Sequence, residues 1–293
     1  MGLQSMGLQS MGLQSMGAIT DRTVKIIKGD ESNSLLRQYR RRWVAQMVQL
    51  CLIGSVVLAS FVVVDLLNTE RLIAGIPATI KLLGEMLPPD FSRFPQWIMP
   101  IVDTLAMSVA GTAIAISLSL PLCFLAARNT TPHIILFYLA RTLLNVARAI
   151  PELILGMILV AAVGFGKLPG TLALGLHSIG MVGKFFAEAV ELSDRAPVEA
   201  ARSVGASEAQ VIVHSVLPQV FPQMADVTFY RWEYNFRASI VLGAVGAGGI
   251  GLEIISALRI LKYQQVSALL IVVLAMVSLV DSLSSYLRRR LVD

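Results

Sequence analysis

Residues 199–218 read EAARSVGASEAQVIVHSVLP, a polar-looking stretch between apolar runs that are otherwise joined by short connectors. Glu199, Ala200 and Ala201 open a small-residue helical pattern, Gly205 follows four residues on, and the run ends at Leu217 and Pro218. Alanines give a helix a smooth face of low relief. A glycine permits a sharp change of direction, and a proline keeps an incoming helix from simply continuing. The pattern predicts a short surface helix, a turn, and re-entry into a membrane after Pro218. Small residues on an exposed helix suit docking into a groove of another protein.

The composition around this stretch supports the membrane reading. The 293 residues are 55% hydrophobic and only 15% charged, where a soluble domain carries about 25% charged residues. The net charge of +5 comes from basic residues gathered at the ends of apolar runs, which fits membrane topology rather than nucleic-acid binding. Cys51 and Cys123 both sit in apolar runs, and His133, His177 and His214 are scattered. Neither set has the spacing of a metal site or a disulfide framework.

Taken in order, residues 1–36 are a tail of MGLQS repeats and a mixed polar cytoplasmic segment with no signal-peptide core. Residues 37–97 hold a first span and an external amphipathic segment. Arg37, Arg40, Arg41 and Arg42 precede the apolar run 43–67, long enough for a hydrocarbon core that needs roughly 20 residues. A basic cluster before a first span puts the N-terminus inside. Ile76, Ile80, Leu83 and Leu87 recur at helical spacing and predict an outer amphipathic helix closed by Pro88 and Pro89.

Residues 98–290 follow as a membrane-spanning core with a cytoplasmic loop at 190–218. Its spans are expected at 98–127, 134–163, 171–189, 219–245 and 266–287, six in all with the first. In span two, Thr104, Ser108, Gly111, Thr112, Ala115 and Ser119 form one small, hydroxyl-bearing stripe, the surface that helices use against each other in lipid. In span three, Glu152 lies four residues beyond Arg148 and is expected to pair with it, with Pro151 as a kink. His177 is read as a packed histidine. Span five carries Arg231, Glu233, Arg237 and Ser239 before the glycine-rich block 243–251. No strand precedes those glycines, so they predict close helix contact or a broken helix, not a phosphate loop. Residues 252–264 are expected as an outer surface helix or loop, and Arg288, Arg289 and Arg290 stop the last span on the inside. Charge counting thus places both termini, and 199–218, in the cytoplasm.

Glu-Ala-Ala, three residues, Gly, and Leu-Pro a dozen residues on resembles the EAA loop of ABC-importer permeases, with Ser215 where that family usually has isoleucine. The block from Tyr230 to Ser239 leading into Val245–Gly251, with Arg148–Glu152 and Pro88–Ser92, is similar to permeases of phosphonate and phosphite importers. The resemblance implies an all-α integral membrane protein with a methionine-importer-like five-helix core plus an N-terminal span. It implies a homodimer in a bacterial inner membrane, two cytoplasmic ATPase subunits and an external solute-binding protein. ATP and Mg would belong to the ATPases, because no GxxxxGK[ST] motif occurs in this chain. It also implies ATPase coupling through Glu199, Ala200, Ala201, Gly205, Leu217 and Pro218.

An anion crossing lipid needs positive or hydrogen-bonding groups that hold it loosely. Arg231 and Arg237, with Ser239, are the candidates. The alternative is that Glu233 neutralises Arg237 and locks helices or a gate. The expected cargo is phosphonate or a related phosphorus oxyanion: phosphite, hypophosphite or phosphate. Another small solute, or a stand-alone secondary transporter, is the alternative. Neither the buried coupling carboxylates of a carrier nor a catalytic constellation is evident in the sequence.

Overall fold

In the computed structural model, residues 39–292 are described, so the predicted repeat tail and the segment up to residue 36 lie outside the described residues. The chain divides into two compact units, residues 1–78 and 79–293.

In the first unit, α1 (Tyr39–Val63) is a 25-residue apolar helix. Its two serines are satisfied within the helix, Ser55 Oγ donating to the Leu52 carbonyl at 2.8 Å and Ser60 Oγ to that of Val56 at 2.8 Å. Hydroxyls can therefore sit at membrane depth without an unpaired donor. The chain turns at Asp65, and Asn68 Oδ1 accepts from the Arg71 backbone N–H at 3.2 Å as α2 (Thr69–Glu85) begins. That helix ends ahead of Pro88 and Pro89, as the sequence predicts.

The second unit is all helical among its described residues. It comprises α3 (Phe94–Ala126), α4 (Ile134–Ala149), α5 (Glu152–Val163), α6 (Lys167–Glu191), α7 (Arg195–Ser203) and α8 (Glu208–Val211). After a π turn at Ile212–Val216 come α9 (Leu217–Leu242), a second π turn at Gly243–Ala247, α10 (Gly249–Arg259) and α11 (Tyr263–Val292). At 33 residues α3 is about 50 Å long, enough to cross the membrane and project beyond it. Pro95 lies in its first turn, where no N–H is missed.

The predicted small-residue stripe of α3 is buried along its whole length, packed against α6, α9 and α10. A Cβ on Gly111 would meet Leu174 Cβ at 2.8 Å, and one on Gly175 would meet Ile114 Cγ2 at 2.9 Å. The two backbones thus approach as only glycine allows. α6 lies at the centre of the bundle, packed against α3, α4, α5 and α9. Three helices, Tyr39–Val63, Phe94–Ala126 and Tyr263–Leu291, are long and apolar enough to cross a membrane, and two bent pairs bring the number to five among the described residues. α6, with 25 residues, is long enough but not in that set. It buries Gly170, Gly175, Ser178, Gly180 and Gly183 against other helices, so small and polar residues replace the leucines that lipid contact would favour.

Two expectations need correction. Arg148 and Glu152 do not pair, because α4 and α5 meet at an 85° bend. Ile150 and Pro151 are extended there (φ −85°, ψ 120° and φ −57°, ψ 136°), which destroys the four-residue helical spacing. Pro218 does not stop a helix. The run from Glu208 continues through it, with the π turn at 212–216 accommodating the missing donor and the ring. Residues 252–264 are, as expected, mostly exposed helix and turn, with Ala257 alone among them buried. α10 meets the α9 run at 58° and buries Ile250 and Ala257 with Trp97, Val266, Ala268 and Leu269. Its entry is fixed by Thr104, whose Oγ1 accepts from the Ile250 N–H at 2.9 Å.

Candidate functional site

Residues 194–210 stand out from the bundle, while Val211 and Val216 are buried in it. Asp194 caps α7, its Oδ1 accepting from the Ala196 N–H at 3.0 Å. Gln219 anchors the base: its Oε1 accepts from the Asp194 N–H at 2.8 Å, and its Nε2 donates to the Ser215 carbonyl at 2.6 Å. Gly205 follows α7 at φ +84°, a left-handed conformation that other residues adopt only with strain. α8 then starts on a capping box, with Ser207 and Gln210 exchanging hydrogen bonds. Across the turn Arg202 donates to both oxygens of Glu208, at 3.1 and 2.9 Å.

The hydrogen bond from Arg202 holds the Glu208 carboxyl below the usual carboxylate range. A depressed native pKa means that this clip is intact at neutral pH and opens only as pH falls through that lowered value. α7 buries none of its residues. Glu199, Ala200 and Gly205 are exposed and Ala201 is half-buried, so the small-residue face is presented outward. Behind it is a cavity of about 260 Å³ among Asn129, Asp194, Val198, Arg202 and Val211.

Along α9, the predicted polar residues divide between two sides. Arg231 is 1% exposed. Its Nε donates to Ser178 Oγ at 2.8 Å and its Nη1 to Met181 Sδ at 3.2 Å, and its guanidinium stacks 4.2 Å from the centre of the Tyr234 ring. Ser178 donates onward to Asn235 Oδ1 at 3.0 Å, and Asn235 Nδ2 to Thr112 Oγ1 at 2.9 Å. The Tyr234 hydroxyl donates to Glu152 at 2.8 Å, while Glu152 lies 3.2 Å from His177 Nε2. His177 Nδ1 reaches the Ile150 carbonyl at 3.0 Å. The α4–α5 bend is therefore latched to α6 and α9. Arg231 Nη2 has no partner among the described residues, and no carboxylate comes within ion-pair distance of this guanidinium. An unpaired buried cation is expensive in such surroundings.

Arg237 and Glu233 face α11 instead. Arg237 lies 2.9 Å from Asp281 and 3.8 Å from Glu233, whereas Arg288 is 2.6 Å from Glu233 and 3.3 Å from Asp226. Two arginines and three carboxylates thus clamp α9 to α11, the locking arrangement that the sequence left open for Glu233 and Arg237. The Ser239 hydroxyl is taken by its own helix, donating to the Phe236 carbonyl at 2.7 Å. Reasoning from sequence missed Ser178, Asn235 and Thr112 as one chain; an asparagine and a serine inside apolar runs were the available signal.

Replacing Tyr234 with phenylalanine should leave Glu152 with one partner and loosen the bend. A loss of about 1–2 kcal/mol is expected, seen as a lower melting temperature of the purified protein in detergent. An unchanged melting temperature would show that the latch contributes nothing.

Residues 119–293 match the family model described as binding-protein-dependent transport system inner membrane component. The chain is 57% identical over 266 residues to the phosphite transport system permease protein PtxC of Stutzerimonas stutzeri, covering 91% of this chain and 97% of that one. It is 44% identical over 222 residues to the phosphate-import permease protein PhnE of Mycolicibacterium smegmatis, covering 76% of this chain and 42% of that one. Among solved structures, an inward-facing form of the MetNI methionine ABC transporter superposes with a TM-score of 0.60 at 19% identity, covering 69% of this chain and 99% of that one. That likeness bears on the fold alone.

Proposed function

The chain belongs to the family of binding-protein-dependent transport system inner membrane components, and we propose from that premise that it carries a phosphorus oxyanion across a bacterial inner membrane. The cargo is phosphonate or a chemical relative: phosphite, hypophosphite or phosphate. Support for this cargo is the 57% identity to a phosphite transport permease along nearly the full length of both chains.

The working unit is two copies of this chain, two cytoplasmic ATPase subunits that bind ATP and Mg, and an external solute-binding protein. Each copy crosses the membrane six times, α6 making the crossing that the apolar helices and bent pairs leave out, and both termini are cytoplasmic. The observation that carries the coupling mechanism is the outward-facing α7, with a left-handed glycine at its exit. Closure of the ATPases pulls α7 through contact with Glu199, Ala200 and Ala201. Gly205 and the Arg202–Glu208 clip pass that motion to α8. The continuous run through Leu217 and Pro218 passes it to α9, so the spans rock and the pathway between the two copies opens outward.

In this mechanism Arg231 is the charge that the anion meets. Its unpartnered Nη2 and the absence of a paired carboxylate support that role, while Arg237 and Glu233 hold helices together and the Ser239 hydroxyl is taken by its own helix. Binding at such a charge has to be strong enough for entry and weak enough for release.

Uptake of labelled phosphite by cells that carry the importer as their only route tests both parts. The expected result is saturable uptake that excess methylphosphonate or phosphate lowers, with Arg231→Gln reducing the rate by about tenfold or more, the scale of one charged hydrogen bond. Uptake insensitive to all phosphorus oxyanions would refute the cargo, and an unaltered rate in Arg231→Gln would refute the role of this arginine.

A further inference from the structure

A second basic site lies away from Arg231, at the end of the bundle that leads into α7. The last two turns of α6 pack there against α4 around a cavity of about 270 Å³. Arg141, Asn145 and Arg148 line it from α4, and Lys184 and Glu188 from α6. Arg141 is held by Glu191 at 2.8 Å and Lys184 by Glu188 at 3.6 Å. Arg148 has neither a carboxylate nor a hydrogen-bond acceptor among the described residues and is exposed at the cavity. The lining thus holds three cations and one carboxylate, with five N–H donors on Arg148 and an amide on Asn145 left to offer.

We infer that this cavity is a binding site for a phosphate oxyanion, carried either on an anionic phospholipid head group or free in solution. A planar guanidinium matches the paired oxygens of a phosphate, and an ammonium opposite adds a point charge. Basic pockets between spans, close to one membrane face, are a known setting for anionic head groups. The outer face of α4 beside the cavity is apolar and exposed at Ile135, Tyr138, Leu139 and Val146, as acyl chains would require. The site is also placed to matter for coupling. Glu191, which holds Arg141, accepts from the Arg128 N–H at 2.9 Å and lies three residues before the cap of α7.

The purified importer, with all its subunits, distinguishes the sources in two arms. In the first, the complex in phosphatidylcholine nanodiscs is titrated with labelled inorganic phosphate. In the second, the delipidated complex is offered phosphatidylglycerol or phosphatidylcholine and the retained lipid is counted by native mass spectrometry. Each basic residue near a head group is worth about fivefold in affinity. Arg148→Gln should therefore weaken binding of the active probe about fivefold, and its combination with Lys184→Gln about twenty-fivefold, while Arg148→Lys keeps most of it.

Arg148 is exposed and has no partner to lose, so the single variant folds and remains informative if the double variant does not. Phosphate binding without preference for phosphatidylglycerol identifies a solution anion, and the reverse identifies a lipid. Either result supports the site when it depends on residue 148. Binding that neither variant changes, or no binding of either probe, would overturn it.

Discussion

Replacing Ala200 with arginine is expected to abolish ATP-driven uptake, by roughly a hundredfold or more, while leaving the chain folded. The folding half of that statement rests on exposure: α7 buries no residue and Ala200 is exposed. The functional half rests on what a small face is for. An arginine forced into a cleft that accepts alanine leaves an unpaired buried charge, which costs about 3–5 kcal/mol, and 1.4 kcal/mol is a factor of ten. Uptake and stimulation of ATP hydrolysis by the loaded binding protein should fall together, with the subunits less firmly associated on size-exclusion chromatography. Normal uptake and stimulation in Ala200→Arg would remove α7 from the coupling route. Gly205→Val should act more mildly, since a left-handed backbone costs a branched residue about 1–2 kcal/mol and nothing lies within 4 Å of the added Cβ.

The largest structural effect is expected at Gly251, where α10 folds back on α9. A Cβ there would run into the carbonyl oxygen of Ile240, and the Cα of Gly243 lies 3.1 Å from the same point. Both obstacles are backbone, so the two helices must separate. Overpacking of yielding side chains costs about 1–3 kcal/mol, and rigid backbone should place Gly251→Ala at or above the top of that range. Little assembled importer should be recovered from the membrane. Gly248→Ala is the matched control: nothing lies within 4 Å of the added carbon, and the cost is the strain of φ +82° alone. Equal recovery of the two variants would mean that the α9–α10 contact does not hold the fold.

How much was legible in sequence depended on whether the signal was local. The hydroxyl and glycine stripe of α3 was readable because every member repeats at helical spacing on one helix, and all of it is buried. The turn at Gly205 was readable because a left-handed residue has a local chemical signature. Arg148 and Glu152 misled because spacing of four implies a shared face only in an unbroken helix, and Pro151 breaks this one. Pro218 misled in the opposite direction, since a π turn five residues long absorbs the ring without ending the helix.

Of the clusters that give α9 its two sides, only the Glu233–Arg237 pair was legible. Ser178 and Asn235 are 57 residues apart and Asn235 and Thr112 are 123 apart, so only packing brings them together. Arg288 read as a membrane stop, yet it closes the clamp on Glu233 and Asp226. Charge at a helix end fixes side before it fixes partner. α6 lacked the strong apolar signal for a related reason: a helix surrounded by protein is selected for close approach, not for solubility in lipid.

The most direct test of the central claim is accumulation of labelled phosphite in proteoliposomes that hold this chain with its ATPase subunits, with binding protein supplied on the outer side. Accumulation that requires both ATP and the binding protein, and that stops in Ala200→Arg, is the predicted result. Accumulation by the chain alone, without an ATPase, would contradict it.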